Sequence, residues 1–329
     1  MFDSHPLNVL VVGFGSIGQR HARNFANRGH KVSIVSQHVA TESNYPVVRR
    51  IQDLSSEEFF EFDLVLVCNK TTDHFTSLEQ IADLGFKGSV LVEKPLFDRL
   101  YRRVIWPFRS IGVLYNLRFH PLVQRLKSAL QAKEIVSVQA YVGQYLPEWR
   151  PGADYRQSYS ASRKEGGGAL RDLSHEIDYL LWLCGKPIHL TGHGGHFSSL
   201  EIDSDDCFSL LMETERCPQV GLNVNYLDRI VQRHVTVHTD HETYKADFIN
   251  QTFQVNDQIQ TYQLDGNFTY EAVVDAAESG NAESFCSLEE ALKVIQVVEL
   301  AEQASRERNW VRCTSMALPF TVDSMDLNL

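Results

Sequence analysis

The sequence predicts an α/β protein in two parts: a doubly wound parallel sheet, then an α+β domain with an open, largely antiparallel sheet. Three observations predict it. Residues 1–116 alternate short β-rich runs with helical patterns, as a sheet wrapped by crossover helices requires. A glycine-rich turn joins the first β-rich run directly to the first helical pattern. After Asn116 the rhythm changes to successive alternating runs, each suited to a strand with one covered face. The length of 329 residues fits two compact units, which we divide at 1–116 and 117–329.

In the first unit, strands are expected at Asn8–Val12, Lys31–Ser36, Asp63–Cys68, Ser89–Glu93 and Gly112–Tyr115. Helices are expected at Ser16–Arg28 and Asp73–Leu84, because Gly29 and Gly85 follow them as left-handed caps. In the second unit, Pro121 opens a helix carrying Leu122, Leu126 and Leu130 on one face, and Ile135–Val142 alternates like a strand. Gly168–Cys184 reads as one continuous helix. Strand-like runs follow at Cys207–Glu213, Val220–Tyr226 and Val231–His238, and a long helix at Leu288–Arg306 has Leu292, Ile295 and Val298 in its apolar stripe.

Composition excludes several classes. A formal net charge of −11 disfavours nucleic acid and anionic membrane surfaces as partners, because a polyanion is repelled by the overall field. Neither a secretory leader pattern nor an apolar run of membrane-spanning length is present. The six cysteines are scattered without a CxxC pair, which reads as reduced thiols in a cytoplasmic protein.

The turn Gly13-Phe14-Gly15-Ser16-Ile17-Gly18 follows Val9–Val12 and opens a helix. In that context the first glycine permits the tight turn, the second lets a pyrophosphate approach the backbone, and the third lets helix pack on strand. A nicotinamide dinucleotide is therefore the expected cofactor. At the end of the second strand, Ser36-Gln37-His38 offers no carboxylate to select NAD, and Ser36 or His38 can bond a 2′-phosphate. The reading is NAD or NADP, leaning to NADP; a kinetic preference for NAD overturns the lean.

Two further segments carry chemistry. Glu93-Lys94-Pro95 places a lysine at the carboxyl end of a parallel strand, the edge where doubly wound sheets bind ligands. Downstream, Asp172, His175 and Glu176 fall three and four residues apart, so one continuous helix puts them on one face. Together with Cys68-Asn69-Lys70-Thr71-Thr72-Asp73-His74, these elements resemble the Gfo/Idh/MocA family over nearly the whole chain. The resemblance implies an N-terminal Rossmann domain, a C-terminal open-sheet domain and a nicotinamide ring between them. It assigns cofactor contacts to the glycine turn, to Ser36, Gln37 and His38, to Cys68, Asn69, Thr71 and His74, and to Glu93 and Lys94. It also implies a catalytic or substrate-orienting Lys94 and a cis Lys94–Pro95 bond. Many relatives have proline at Lys70 and histidine four residues after the helix aspartate, the position that Glu176 holds here.

The chemistry expected is hydride transfer between nicotinamide and a secondary alcohol or ketone. Lys94 stabilises developing charge on oxygen, His175 accepts the hydroxyl proton with Glu176 as the competing base, and Asp172 orients the histidine or bonds the substrate. Substrate contacts are expected from Lys94, Arg118, Trp149, Arg163, Asp172 and His175. The basic and aromatic stretch Trp149, Arg150, Tyr155, Arg156, Tyr159, Arg163 and Lys164 points to an anionic sugar, such as a nucleotide sugar or sugar acid, and together with Arg118-Phe119-His120-Pro121 and Asp172-Leu173-Ser174-His175-Glu176 it resembles a branch of the family that acts in surface-glycan biosynthesis. The competing expectation pairs those arginines with Glu148, Asp154 and Glu165. His193 and His196 lack a completing ligand set, so no metal is expected. A homo-oligomer through the second sheet is expected. Two other functions stay open: transient use of bound nicotinamide in epimerisation, elimination or glycoside cleavage, and a non-catalytic cofactor-binding regulator.

Overall fold

Runs rich in valine and leucine, separated by glycine-ended helices, build the first sheet in the computed structural model, which describes residues 5–37, 44–101 and 105–313. Strand β1 (Asn8–Val12) leads through the glycine turn to α1 (Ser16–Asn27), followed by β2 (Lys31–Val35) and the short β3 (Val47–Val48). Then come α2 (Ser56–Phe59), β4 (Leu64–Val67), α3 (His74–Asp83), β5 (Ser89–Glu93) and β6 (Ser110–Leu114). The strands lie in the order β6-β5-β4-β1-β2-β3 and all run parallel. All four residues of β4 are buried, as expected where helices cover both faces. The chain reverses direction across the sheet between β1 and β4, so a crevice opens beyond their carboxyl ends.

The second sheet follows α4 (Pro121–Leu130). Its strands are β7 (Ser137–Gly143), then, after α5 (Ala169–Asp172) and α6 (His175–Cys184), β8 (Pro187–Gly195), β9 (Cys207–Thr214), β10 (Val220–Asn225), β11 (Gln232–His238), β12 (Thr243–Asp247), β13 (Thr252–Val255) and β14 (Gln258–Thr261). The chain closes with α7 (Phe268–Glu278), β15 (Cys286–Ser287), α8 (Leu288–Glu307) and β16 (Val311–Arg312). Nine strands lie in the order β14-β13-β12-β11-β7-β10-β9-β8-β16, antiparallel except for the β7–β10 pair. Alternation along β9 buries Phe208, Leu210 and Met212 and turns Ser209 to solvent, so one face is covered and the other open.

Three features correct the sequence expectations. The expected helix Gly168–Cys184 is broken at Leu173-Ser174 into α5 and α6. No element was expected between Leu264 and Leu288, yet α7 forms there and packs on α1: Glu278 meets Arg28 and His30 at 2.6 and 3.0 Å. Beyond it, β15 pairs antiparallel with β6 as the seventh strand of the first sheet. Residues 268–287 therefore pack with the first sheet. Among the described residues no helix is long and apolar enough to cross a membrane.

One local device gives a pH prediction. Pro121 occupies the first position of α4, and the residue before it, His120, caps the helix by accepting the Leu122 N–H on Nδ1 at 3.2 Å. Burial first, then the charge of Arg233, pushes the His120 pKa down to about 4 from 6.5. The folded state therefore resists a proton that the unfolded chain takes up. The stability contribution is complete above 6.5 and is lost as pH falls from there towards 4. Urea unfolding of the wild type should show a loss of about 1–3 kcal/mol between about pH 7 and about pH 4.5 that His120→Asn, which keeps a capping oxygen, lacks. Equal pH slopes for the two proteins would remove His120 from the effect.

Candidate active site

The glycine turn lies at the crevice between β1 and β4. A Cβ on Gly13 (φ +95°) would stand 2.5 Å from the Asn69 nitrogen, and one on Gly18 would stand 2.1 Å from the Gly13 carbonyl oxygen, so both glycines are fixed by close backbone packing. Gly15 differs: a Cβ there would meet nothing within 4 Å. This open position adjoins the N-terminus of α1, which has no side-chain cap and no acidic residue in its first turn. An anion there meets free N–H groups and the positive end of the helix. These residues fit a dinucleotide pyrophosphate. Phe14 packs edge-on to Tyr45 at 6.3 Å, while Ser16 is exposed and Ile17 half-buried.

At the carboxyl end of β4, Asn69 donates to Ser77 at 2.8 Å and leaves its buried Oδ1 without a protein partner. Thr71 is half-buried, and a Cβ on Gly166 of the second domain would come within 3.9 Å of its Cβ. Other expected cofactor residues are occupied differently. His74 is buried with its ring nitrogens on the carbonyls of Leu96 and Asn69 at 3.0 and 3.2 Å, so it pins the loop and is not an exposed contact. Burial pushes its pKa down and the Cys68 thiol up. Cys68 lies beneath the turn, 3.5 Å from where a Gly18 Cβ would be. The Glu93 carboxylate is taken by His21 at 2.8 Å and by the Lys94 N–H at 3.1 Å. Ser36 accompanies β3 through its N–H to the Val48 carbonyl at 3.1 Å, and Gln37 is exposed. His38 lies outside the described residues.

Lys94 reaches across from the first sheet to the second domain. Its peptide bond to Pro95 is cis, and its Nζ donates to the Asp172 carbonyl at 2.6 Å, which leaves ammonium hydrogens for another acceptor. The backbone oxygen at the end of α5 thus holds the lysine. The Asp172 carboxylate accepts the Tyr226 hydroxyl at 2.7 Å on Oδ2, whereas buried Oδ1 has no partner. Its charge, ahead of burial, raises the pKa of the neighbouring Tyr159 hydroxyl.

His175 begins α6, with its ring edge-on to Tyr115 at 5.6 Å and its Nδ1 without a partner. Burial, then the charges of Lys94 and Arg233, hold its pKa well below the usual histidine range, so the imidazole is neutral at neutral pH. Glu176 is fully buried against Arg233 on β11, 2.9 Å away, and that pairing occupies its carboxylate. Burial raises its pKa while Arg233 opposes the rise. The break between α5 and α6 gives Asp172 and His175 their separate approaches; they do not lie on one continuous helix face.

The expected substrate contacts divide. Arg118 is corrected: it is buried and held by Asp178 at 2.7 Å and Glu290 at 3.0 Å, which makes it a tie between the interdomain turn, α6 and α8. Arg163 is exposed, and its backbone N–H donates to Asp203 at 2.6 Å. Trp149 instead packs edge-on against Tyr226 at 5.1 Å, two contacts from Asp172. Beside it Arg150 lies over the Tyr159 ring at 5.7 Å, and Trp149, Arg150 and Tyr155 line a cavity of about 360 Å³. Part of the competing expectation holds, since Arg156 pairs with Asp154 at 2.8 Å and with Glu201 at 3.1 Å. Glu165 pairs with Lys70 at 2.9 Å. His193 packs in a tilted contact with Phe197 at 5.5 Å, and His196 faces Asp206 at 3.7 Å. Tyr115, Ser174 and Tyr226 were absent from the expected site residues. The signal for Tyr115 and Tyr226 was position alone, each directly following a strand, whereas Ser174 had none.

A phosphate-binding turn at the reversal point of a parallel sheet, facing a cleft that holds a lysine, a neutral histidine and a carboxylate, defines an NAD-binding oxidoreductase class. The chain belongs to the Gfo/Idh/MocA family: residues 7–102 match the oxidoreductase family with NAD-binding Rossmann fold, and residues 123–245 match the GFO/IDH/MocA C-terminal domain. No curated protein matches it in sequence. Among solved structures, the WlbA dehydrogenase from Bordetella pertussis, in complex with NADH and UDP-GlcNAcA, is 17% identical, with a TM-score of 0.77 over 94% of this chain and 99% of that one. Levoglucosan dehydrogenase in complex with NADH is 15% identical, with a TM-score of 0.77 and the same coverages. An NAD-binding oxidoreductase from Klebsiella pneumoniae is 17% identical, with a TM-score of 0.77 over 94% and 99%. These likenesses establish a shared fold.

Proposed function

We propose that this oxidoreductase transfers hydride between NAD(P) and a secondary alcohol or ketone of a sugar derivative, with an anionic sugar such as a nucleotide sugar or sugar acid as the substrate class. The carrying observation is the pair of unpartnered polar atoms beside the Lys94 tether: Oδ1 of Asp172 and Nδ1 of His175 are both buried and lack protein partners. Buried polar groups ordinarily find hydrogen bonds, so this pair calls for a polar ligand rich in hydroxyls. Solved relatives in complex with UDP-GlcNAcA or L-sorbose support a sugar. Arg150, at the rim with Trp149, supports a negative group on it.

The backbone of the Gly13–Gly18 turn would hold the dinucleotide, with Asn69 and Thr71 bordering its nicotinamide end. A bound nicotinamide supplies the hydride acceptor. Lys94, held by the Asp172 carbonyl, presents its remaining ammonium hydrogens to the substrate oxygen and stabilises charge there. His175 takes the hydroxyl proton on an imidazole that its surroundings keep neutral, while Oδ1 of Asp172 accepts a substrate hydroxyl. The arrangement favours His175 over Glu176, whose carboxylate is committed to Arg233.

The preference for NADP stays part of the proposal, because nothing acidic stands at Ser36-Gln37. Six unpaired thiols support a cytoplasmic setting. The open face of the second sheet supports a homo-oligomer, with a groove of about 390 Å³ across Tyr141, Leu211, Gly221 and His234. Incubation with NAD or NADP and a panel of nucleotide sugars and sugar acids, followed by coenzyme absorbance, tests the reading. Accumulating reduced coenzyme supports it. Product without reduced coenzyme favours an internal redox cycle, and coenzyme binding without turnover across the panel favours a regulator.

A further inference from the structure

Histidine 21 has no part in the chemistry above, yet it occupies an unusual place. It lies three residues after Gly18 on α1, on the face that packs against the sheet with Ala22 and Phe25, and it is fully buried. Its Nε2 donates to Oε1 of Glu93 at 2.8 Å. The other oxygen, Oε2, accepts the Lys94 N–H at 3.1 Å. Each carboxylate oxygen is thus held from a different direction, one by the helix of the phosphate-binding turn and one by the backbone of the lysine itself.

Stability alone is a poor reason for this pair. Burying an imidazole and a carboxylate costs desolvation that their attraction barely repays, and well-packed apolar residues commonly serve as well or better. A polar pair instead fixes orientation. The Tyr270 ring packs on His21 at 5.3 Å, and Arg20 lies over that ring at 3.9 Å, so α7 covers the histidine while Glu93 stays partly exposed. On the sheet side the charge of Glu93 is felt by Cys68, whose thiol burial already pushes up. From Lys94 the chain continues to Asp172 through Nζ.

We propose that His21 is a positioning residue: through Glu93 it sets the backbone at Lys94, and so aligns the ammonium with the dinucleotide turn on the same helix. The proposal rests on the dehydrogenase reading for its kinetic consequence but not for its structural one. Without His21, Glu93 has one bond fewer and becomes a competing acceptor for the Lys94 ammonium, which then leaves the Asp172 carbonyl.

The test compares His21→Leu, which keeps volume without a donor, with His21→Gln, whose amide can donate to Glu93. Amide hydrogen exchange across residues 93–97 should be faster in His21→Leu and return to the wild-type rate in His21→Gln. Fluorescence titration with NADH should give dissociation constants within about threefold of each other, since the turn itself is unchanged. On a substrate found in the panel, kcat should fall roughly tenfold or more in His21→Leu with KM little moved, and recover in His21→Gln. Should His21→Leu not fold, Glu93→Gln removes an acceptor from the same link and should show the same faster exchange and lower kcat. Wild-type exchange at residues 93–97 in the leucine variant, or faster exchange that glutamine does not rescue, overturns the proposal. An inactive wild type would refute the dehydrogenase reading, while the exchange comparison still decides the role of His21.

Discussion

Lys94→Ala is expected to fold, to bind NADH with an affinity close to wild type, and to lose turnover by about 10²–10³-fold. The size follows from the position. The lysine is half-buried in a cleft where charge is weakly screened, and its Nζ is held at 2.6 Å by a backbone oxygen, so it arrives at the reacting atom already oriented. Removing it deletes both the charge and the orientation. The structural cost is smaller, about 1 kcal/mol for the lost, only partly buried bond to Asp172. Steady-state kinetics beside an NADH titration separates the two effects. Unchanged turnover would take Lys94 out of the chemistry. Lys94→Arg should recover little, since a planar guanidinium does not place its donors where an ammonium does.

Arg118→Ala is expected to act on stability instead, with a loss of about 3–5 kcal/mol in urea unfolding. Its guanidinium is buried, and the charge of Asp178 more than offsets the cost of burial and holds the group charged. Truncation leaves Asp178 buried without its bidentate partner and frees Glu290, the capping-box residue of α8. Replacing both members, as Arg118→Met with Asp178→Leu, should recover much of the loss, because an apolar pair leaves no uncompensated charge. A destabilisation below about 1 kcal/mol in Arg118→Ala would show that the pair is not the tie we describe.

These two residues mark what could be read from the sequence. Lys94 was legible because strand-end position is a local property: a β-rich run, a lysine and a proline suffice to place it. The glycine turn was legible for the same reason, and so were most strands of the first sheet to within a residue or two. Arg118 was not, because its partners lie 60 and 172 residues further along the chain and nothing beside it announces them. The break at Leu173-Ser174 was equally hidden. No glycine or proline marks it, so tertiary packing, not local preference, ends α5 and starts α6 again. Helix α7 had a faint signal, Val273, Val274 and Ala276 before Gly280, but its buried face is narrow and meets a helix some 250 positions earlier.

The late return of the chain to the first sheet bears on how the protein is made. Gly112 leaves room on β6 for Phe285, whose Cβ would lie 2.8 Å from any Cβ placed there, and β15 covers that edge two residues later. During synthesis the N-terminal half therefore emerges with an open strand edge and an unfilled hollow that some 170 further residues must be made to close. The cofactor-binding part leaves the ribosome before the second sheet but is completed only after it.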